Sequence, residues 1–226
     1  MSARIIIVTG GFGVLGKAVA AAFTANGDQV ARVDYAMNPP DAMAALDIGG
    51  VDISEVAVAQ QTFSKVVEIL GVPSILVNIA GGFVLETLDD GDPSTWQKMF
   101  KMNLLTTVTM TKVALPSLKC AKMASIINIG AVAAIKASGG MGSYAASKSG
   151  VHRLTESLAE ELKKTSVTVN AILPTIIDTP TNRADMPKAD YSEWVKPETI
   201  AEVVLFLAST ASRAITGSLI AVSRAA

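Results

Sequence analysis

The sequence predicts an α/β domain in which helices cover both faces of a parallel sheet. Stretches rich in Ile and Val alternate with longer helix-forming stretches along all 226 residues. Half of the residues are hydrophobic and only 5% are aromatic, which suits buried parallel strands built from aliphatic side chains. A glycine-rich turn directly follows the first strand stretch. Together these observations predict a doubly wound parallel sheet in a single domain, residues 1–226.

The first βα unit carries the clearest functional signal. The strand predicted over residues 4–8 leads into three glycines at a spacing of three, Gly10, Gly13 and Gly16, and a helix is predicted from Val14 to Phe23. This order of elements is typical of a turn that binds the pyrophosphate of a dinucleotide at a helix N-terminus. Tight βα turns also use glycine for structural reasons alone. The cofactor contacts expected from this turn are Gly10, Phe12, Gly13, Val14, Leu15 and Gly16.

Asp34 follows the second predicted strand, residues 29–33. Its distance from the glycine turn is about that of the acidic residue that accepts hydrogen bonds from an adenine ribose, although a strand-end Asp can simply start a turn. The same carboxylate would repel a ribose 2′-phosphate. The sequence therefore predicts a Rossmann-like fold that prefers NAD(H), with NADP(H) still possible, and Arg32 is not expected to change this preference.

The remaining elements alternate in the same way. Ser54 is expected to cap the second helix, because serine is a good N-cap residue. Residues 174–195 contain two further prolines and no clear period, so they are predicted to form a long substrate loop. Further strands are predicted within 42–51 and at 75–79, 125–129, 168–173 and 219–222, and further helices at 55–70, 93–118, 143–164 and 197–209.

Composition excludes several classes of partner. The net charge of −1 and the lack of a basic run give no reason to expect nucleic acid or a membrane surface as a partner. A single cysteine, Cys120, excludes internal disulfides and cysteine-rich metal clusters, and no metal site is expected. The N-terminus does not resemble a signal peptide and no apolar run reaches membrane-spanning length. We expect a cytoplasmic protein that acts on a small molecule.

Tyr144 and Lys148 form the candidate catalytic pair. They lie four residues apart on one predicted helix, so their side chains share a face. An ammonium beside a phenol is expected to lower the pKa of Tyr144 toward neutrality, which makes the tyrosine a competent general acid or base. His152 is the only histidine, and it is expected to be structural and far from the catalytic end of this helix.

These motifs occur in the order found in the short-chain dehydrogenase/reductases, which the chain resembles over nearly its full length. The resemblance implies that Asn103 helps to hold a proton-relay water and that Lys148 also bonds the nicotinamide ribose. It also implies a homodimer or homotetramer. The further cofactor contacts that it implies lie after the third, fourth and sixth strands, and they are Asp52, Ile53, Asn78, Ala80, Gly81, Pro174 and Thr179, besides Tyr144 and Lys148.

The departures from the family pattern point to a particular branch. The family's catalytic serine would lie thirteen residues before the tyrosine, and that position is Ala131. Alanine there, the glycine spacing and the segment Leu173–Arg183 resemble quinonoid dihydropteridine reductases. The predicted substrate is therefore a quinonoid dihydropterin or a similar flat conjugated acceptor. The expected substrate contacts are Phe83, Ala131, Tyr191 and Trp194, although the last two residues can equally anchor the loop.

Two alternatives remain open at this level. The first is an ordinary short-chain alcohol dehydrogenase or ketone reductase, which the missing serine hydroxyl disfavours because the substrate oxygen loses a hydrogen-bond donor. The second is a non-catalytic dinucleotide-binding sensor, which the retention of Tyr144, Lys148 and Asn103 disfavours.

Overall fold

The computed structural model describes residues 3–224. Seven strands form one sheet: β1 (Ile5–Thr9), β2 (Gln29–Val33), β3 (Leu46–Ile48), β4 (Ile75–Asn78), β5 (Ala124–Ile129), β6 (Val167–Pro174) and β7 (Leu219–Val222). Their order is β3-β2-β1-β4-β5-β6-β7, and every neighbouring pair is parallel. The predicted parallel sheet is confirmed.

Helices cover both faces of this sheet, as predicted. They are α1 (Val14–Ala25), α2 (Val56–Ile69), α3 (Pro93–Met99), α4 (Thr106–Cys120), α5 (Gly142–Leu162), α6 (Pro180–Asp185) and α7 (Pro197–Leu207). Apolar side chains of α1 and α7 form one core with the first face, and those of α2, α4 and α5 form a second core with the other face. The arrangement is doubly wound because each face buries its own aliphatic cluster.

The strand order brings the functional loops to one edge. The order reverses at β1, which lies between β2 and β4. The register sets Thr9 opposite both Val33 and Asn78, and it sets Asn78 opposite Asn128. The carboxyl ends of these strands are therefore level, and the loops after them meet in the crevice where open α/β sheets bind ligands.

Two helix starts differ from the sequence prediction. The expected cap at Ser54 is wrong: α2 begins one residue later, after Glu55, and the Ser54 hydroxyl instead donates to Asp52 at 2.5 Å. The predicted loop 174–195 contains α6, because the Thr179 hydroxyl accepts the backbone N–H of Asn182 at 3.1 Å and a proline follows at the first helical position.

The long helix predicted over 93–118 is interrupted. A π-helical turn, Phe100–Leu105, joins α3 to α4 and carries the buried Asn103. Turns of this type insert an extra residue into a helix and occur often at functional sites.

Cys120 is exposed at the end of α4. Within residues 3–224, no helix has the length and apolarity needed to cross a membrane. In the same part of the chain, no three His, Cys, Asp or Glu side chains are grouped so that they can hold a metal ion.

Candidate active site

The glycine turn after β1 has the backbone geometry of a pyrophosphate site. Gly10 has a φ of 64°, and a Cβ there would lie 2.8 Å from the backbone nitrogen of Ala80. A Cβ on Gly16 would overlap the carbonyl oxygen of Gly10. Helix α1 starts after Gly13 without a side-chain cap, which leaves the N–H groups of its first turn available to an anion. The residues present therefore fit a dinucleotide.

The carboxylate of Asp34 is fixed at the mouth of this turn. One oxygen accepts the backbone N–H of Phe12 at 2.9 Å, and the other accepts the backbone N–H of Ala36 at 2.9 Å. The side chain is half-buried, so it remains open to a ligand on one side. The contact of Asp34 with an adenine ribose stays a prediction.

Arg32 lies beneath the turn and is fully buried. Its guanidinium bonds Asp47 at 2.7 Å and Asp41 at 2.8 Å, and it lies 5.6 Å from the ring centroid of Phe12. The hydrogen bond that Arg32 donates to Asp47 raises the pKa of Arg32 above its ordinary value, against the effect of burial. The guanidinium of Arg32 is thus already paired with two carboxylates of the protein.

Asp52 and Ile53 follow β3, on the side expected for the adenine. The Asp52 carboxylate accepts hydrogen bonds from Ser54 and lies 3.1 Å from the ammonium of Lys101. Ile53 is buried. A hydrogen bond from an adenine to Asp52 would therefore share the carboxylate with Lys101.

The turn after β4 joins the cofactor end of the cleft to the catalytic end. The Asn78 amide nitrogen donates to Thr111 at 3.0 Å and to Asn128 at 2.9 Å, while its Oδ1 is buried without a partner in the described part of the chain, and the contact of Asn78 with the cofactor stays a prediction. The backbone N–H of Ala80 donates to Thr9 at 3.2 Å. A Cβ on Gly81 would overlap Oδ1 of Asn103, whereas it would lie at an ordinary contact distance of 3.4 Å from the Lys148 ammonium. The close approach of this turn to Asn103 therefore favours glycine at residue 81.

Asn103 fastens the next residue of this turn to α5. Its amide oxygen accepts the N–H of Gly82 at 2.9 Å, and its amide nitrogen donates to the Gly82 carbonyl at 3.1 Å and to Ser147 at 3.0 Å. The side chain of Asn103 is thus fully engaged with protein groups. Its predicted role at a proton-relay water stays a prediction.

Tyr144 and Lys148 lie on the face of α5 that meets this turn. The Lys148 ammonium is buried and donates to the Ile129 carbonyl at 2.8 Å. The half-buried ring of Tyr144 meets the ring of Phe83 edge to face, with centroids 5.0 Å apart. Within residues 3–224, the Tyr144 hydroxyl has no hydrogen-bond partner. The phenol of Tyr144 therefore remains available for a hydrogen bond to a ligand.

The expected lowering of the Tyr144 pKa is wrong for this structure. Burial raises the pKa of Tyr144 to about 12, because the phenolate loses its water, and burial lowers the pKa of Lys148 to about 8. The ammonium bonds the Ile129 carbonyl instead of the phenol. At neutral pH the tyrosine is protonated, so it is available as a proton donor.

Ala131 lies two residues beyond the Ile129 carbonyl that Lys148 bonds, and sequence reasoning missed its partner. The residue is 5% exposed, and its backbone N–H donates to Nε2 of His152 at 3.3 Å. The expectation that His152 lies far from the catalytic end is therefore wrong. His152 is four residues beyond Lys148, one turn further along the same helix face, and that spacing was readable from the sequence.

The substrate loop is held by its own side chains. Arg183 bonds Asp178 at 2.6 Å and lies 4.7 Å from the ring centroid of Tyr191, whose ring centroid lies 4.7 Å from that of Trp194. Trp194 is only 5% exposed, which favours the anchoring role over a substrate contact. Pro174 is buried at the end of β6, and the Thr179 hydroxyl caps α6.

Known proteins are similar in sequence to this chain along almost their whole length. Residues 4–190 match the family described as short chain dehydrogenase. An acetoacetyl-CoA reductase from Paracoccus denitrificans is 32% identical, over 96% of this chain and 95% of that protein. A 3-oxoacyl-(acyl-carrier-protein) reductase from Thermotoga maritima is 28% identical, over 98% of this chain and 97% of that protein.

The solved structures agree with the sequence relatives. The ligand-free aldohexose dehydrogenase of Thermoplasma acidophilum has a TM-score of 0.89 at 27% identity, over 97% of this chain and 92% of that one. The likeness is to the wider family, and not specifically to dihydropteridine reductases. The chain belongs to the short-chain dehydrogenase/reductase family and is an NAD(P)-dependent oxidoreductase.

Proposed function

We propose that the protein is an NADH-preferring reductase of ketone-like carbonyl groups. One observation carries the proposal: the half-buried phenol of Tyr144 packs beside Phe83, and Lys148 is fixed one turn behind it by the Ile129 carbonyl. The similar proteins support the same chemistry, since two of them are named as reductases of acetoacetyl-CoA and of 3-oxoacyl groups.

The residues of the chain divide the work as follows. NADH, when bound, would supply the hydride that the carbonyl carbon receives. The glycine turn would hold its pyrophosphate, Asp34 its adenine ribose and Lys148 its nicotinamide ribose, and the family resemblance implies that Pro174 and Thr179 would contact the carboxamide. As the carbonyl oxygen gains negative charge, Tyr144 donates its proton to that oxygen. The positive charge of Lys148 then stabilises the phenolate until solvent returns a proton to it.

The preference for NADH is part of this proposal. A 2′-phosphate on the adenine ribose would approach the carboxylate of Asp34, which is fixed by two backbone N–H groups. Arg32 is the cation closest in sequence, but two carboxylates occupy its guanidinium. The charge needed to bind NADPH strongly is therefore not available from Arg32.

A quinonoid dihydropterin is the second candidate substrate, and Ala131 favours it. A ketone develops negative charge on oxygen, and a donor aimed at that oxygen is worth a few kcal/mol, which an alanine methyl cannot supply. A flat conjugated acceptor needs a proton but less stabilisation of an oxyanion. The exposed face of Phe83, next to Tyr144, offers such a ring an apolar contact.

The test is NADH consumption with matched acceptors. Acetoacetyl-CoA, a simple cyclic ketone and a quinonoid dihydropterin are compared at equal concentrations, with Tyr144→Phe as the inactive control. Turnover of a carbonyl compound that is lost in the control supports the reductase. Turnover of the pterin alone selects the second candidate, and no turnover with any acceptor overturns both.

We also propose that the protein acts in the cytoplasm as a homodimer or homotetramer. The support is the family resemblance, in which the helices equivalent to α4 and α5 pair between subunits. Analytical ultracentrifugation tests the assembly, and a monomer at micromolar concentration contradicts it.

A further inference from the structure

Helix α5 binds the turn after β5 directly, through a stripe of polar side chains. Lys148 donates to the Ile129 carbonyl at 2.8 Å, and Ser149 donates to the Ala134 carbonyl at 2.8 Å. Between these two bonds, His152 accepts the N–H of Ala131 at 3.3 Å. The separation between Tyr144 and this turn is therefore set by α5 itself, and not by the long loop that joins the two elements.

Two features fix the imidazole of His152: its Nε2 accepts a hydrogen bond, and Gly130 leaves room for the ring. The side chain is 2% exposed. A Cβ on Gly130 would lie 2.5 Å from Nε2, so the imidazole can approach the chain there only because the residue is glycine. Since Nε2 accepts a hydrogen bond, the neutral ring carries its proton on Nδ1. Burial, with the charges of Arg153 and Lys148, lowers the pKa of His152 to about 4, so the ring stays neutral at physiological pH.

The peptide that His152 holds, Gly130–Ala131, includes the position at which the family pattern has its catalytic serine. In the family pattern a serine hydroxyl at residue 131 holds the substrate oxygen, whereas Ala131 presents only a methyl group and its main chain. Without that hydroxyl, the position of the main chain decides how closely a substrate lies against Tyr144. Small errors of placement in a reacting complex are costly to rate.

We propose that His152 is a positioning residue for the reaction: its imidazole holds the Gly130–Ala131 peptide against α5 and thereby keeps the substrate wall at the right distance from Tyr144. This role rests on the proposed function for its kinetic consequence, but the held peptide itself does not require a known substrate.

The experiment compares two replacements of His152. His152→Leu removes the acceptor and keeps an apolar side chain, so the N–H of Ala131 is buried without a partner. His152→Gln keeps an amide oxygen that can accept the same N–H. We expect the Leu variant to lose kcat by roughly tenfold, with the Kd for NADH changed less than twofold, and the Gln variant to recover most of the loss.

Thr155→Val is the matched control. It removes the bond from Asn128 to Thr155, 2.9 Å long, which also joins β5 to α5 but lies one turn further from the catalytic pair. A loss of stability comparable to that of His152→Leu, without the loss of kcat, separates positioning from general destabilisation. An equal fall in kcat for Thr155→Val and His152→Leu overturns the proposal.

Amide hydrogen exchange makes the test independent of the substrate. Exchange at Ala131 should rise in His152→Leu and stay near the unmodified rate in His152→Gln; unchanged exchange in the Leu variant overturns the proposal. If the Leu variant does not fold, Gly130→Ala displaces the imidazole instead and should show the same split between kcat and Kd. Failure of every acceptor overturns only the proposed function, because the exchange comparison still decides whether His152 holds the peptide.

Discussion

The cofactor end and the substrate end of the cleft are built by different means. At the cofactor end, backbone N–H groups and glycines form the surface, and the charged side chains Asp34 and Arg32 already have protein partners. At the substrate end, Phe83 is 48% exposed and the wall at Ala131 has no polar side-chain atom. At the first end, the protein itself fixes the polar groups that we propose as cofactor contacts. At the second end, the proposed contacts are an apolar ring, a methyl group and the hydroxyl of Tyr144.

The largest predicted loss of turnover follows from removing the Tyr144 hydroxyl at the substrate end. Tyr144→Phe removes the proton donor, and we expect kcat to fall by about a thousandfold, within the usual range for general acid catalysis. The Kd for NADH, measured by fluorescence titration, should be nearly unchanged. Ser157→Ala is the control, because it removes an exposed hydroxyl from the same helix, where that hydroxyl bonds only Glu161. Near-normal turnover in Tyr144→Phe would remove the assigned role.

A smaller effect is expected at the cofactor end. Asp34→Ala removes a charged acceptor for the ribose and the repulsion of a 2′-phosphate, so the ratio of NADH to NADPH affinity should fall by about tenfold or more. Glu68→Gln, an exposed change of the same charge on α2, should leave the ratio unaltered. The reading of this end is wrong if the unmodified protein binds both cofactors equally well.

A serine hydroxyl at residue 131 would give the substrate end of the cleft a second hydrogen-bond donor for a substrate oxygen, besides Tyr144. With Ala131→Ser, we expect kcat/KM for a simple ketone to rise by roughly tenfold and that for a quinonoid dihydropterin to change little, because only the ketone develops a full negative charge on oxygen. The measurement is the ratio of the two kcat/KM values in both proteins. An equal change for both acceptors would show that residue 131 does not discriminate between them.

The smallest effect concerns stability. Burial lowers the pKa of His152 to about 4, so below pH 6.5 the unfolded chain binds a proton that the folded chain does not bind. Stability rises with pH in this window, and lowering the pH from 6.5 to 5.5 should reduce the free energy of unfolding by about 1 kcal/mol more in the unmodified protein than in His152→Gln. Urea unfolding at the two pH values measures this difference, and parallel behaviour of the two proteins contradicts it.

The two ends also differed in how far they could be predicted from the sequence. The glycine turn, Asp34, Tyr144 and Lys148 are recognised from short spacings within one or two elements, although the Lys148 ammonium bonds the Ile129 carbonyl and not the phenol. The bond between Ala131 and His152 depends instead on the register between β5 and α5, which local periodicity does not reveal. The raised pKa of Tyr144 has the same origin, because burial is a property of the assembled cleft.

The π-helical turn and helix α6 were hard to predict from the sequence for a different reason. The π-helical turn at 100–105 lies in a helix-forming stretch, and one inserted residue does not disturb an averaged pattern. Helix α6 is only six residues long, so it offers too few turns for periodicity, although Thr179 and Pro180 give a readable start.

The π-helical turn also limits how this chain can change its length. One extra residue in a helix rotates everything on one side of it by ~100° relative to the other side. Asn103 faces inward toward Gly82 and Ser147 with this extra residue in place. Deleting any one residue from 100–105 would convert α3 and α4 into one regular helix and change the phase of its two halves. The number of residues in 100–105 is therefore tied to the inward position of Asn103, which bonds Gly82 and Ser147.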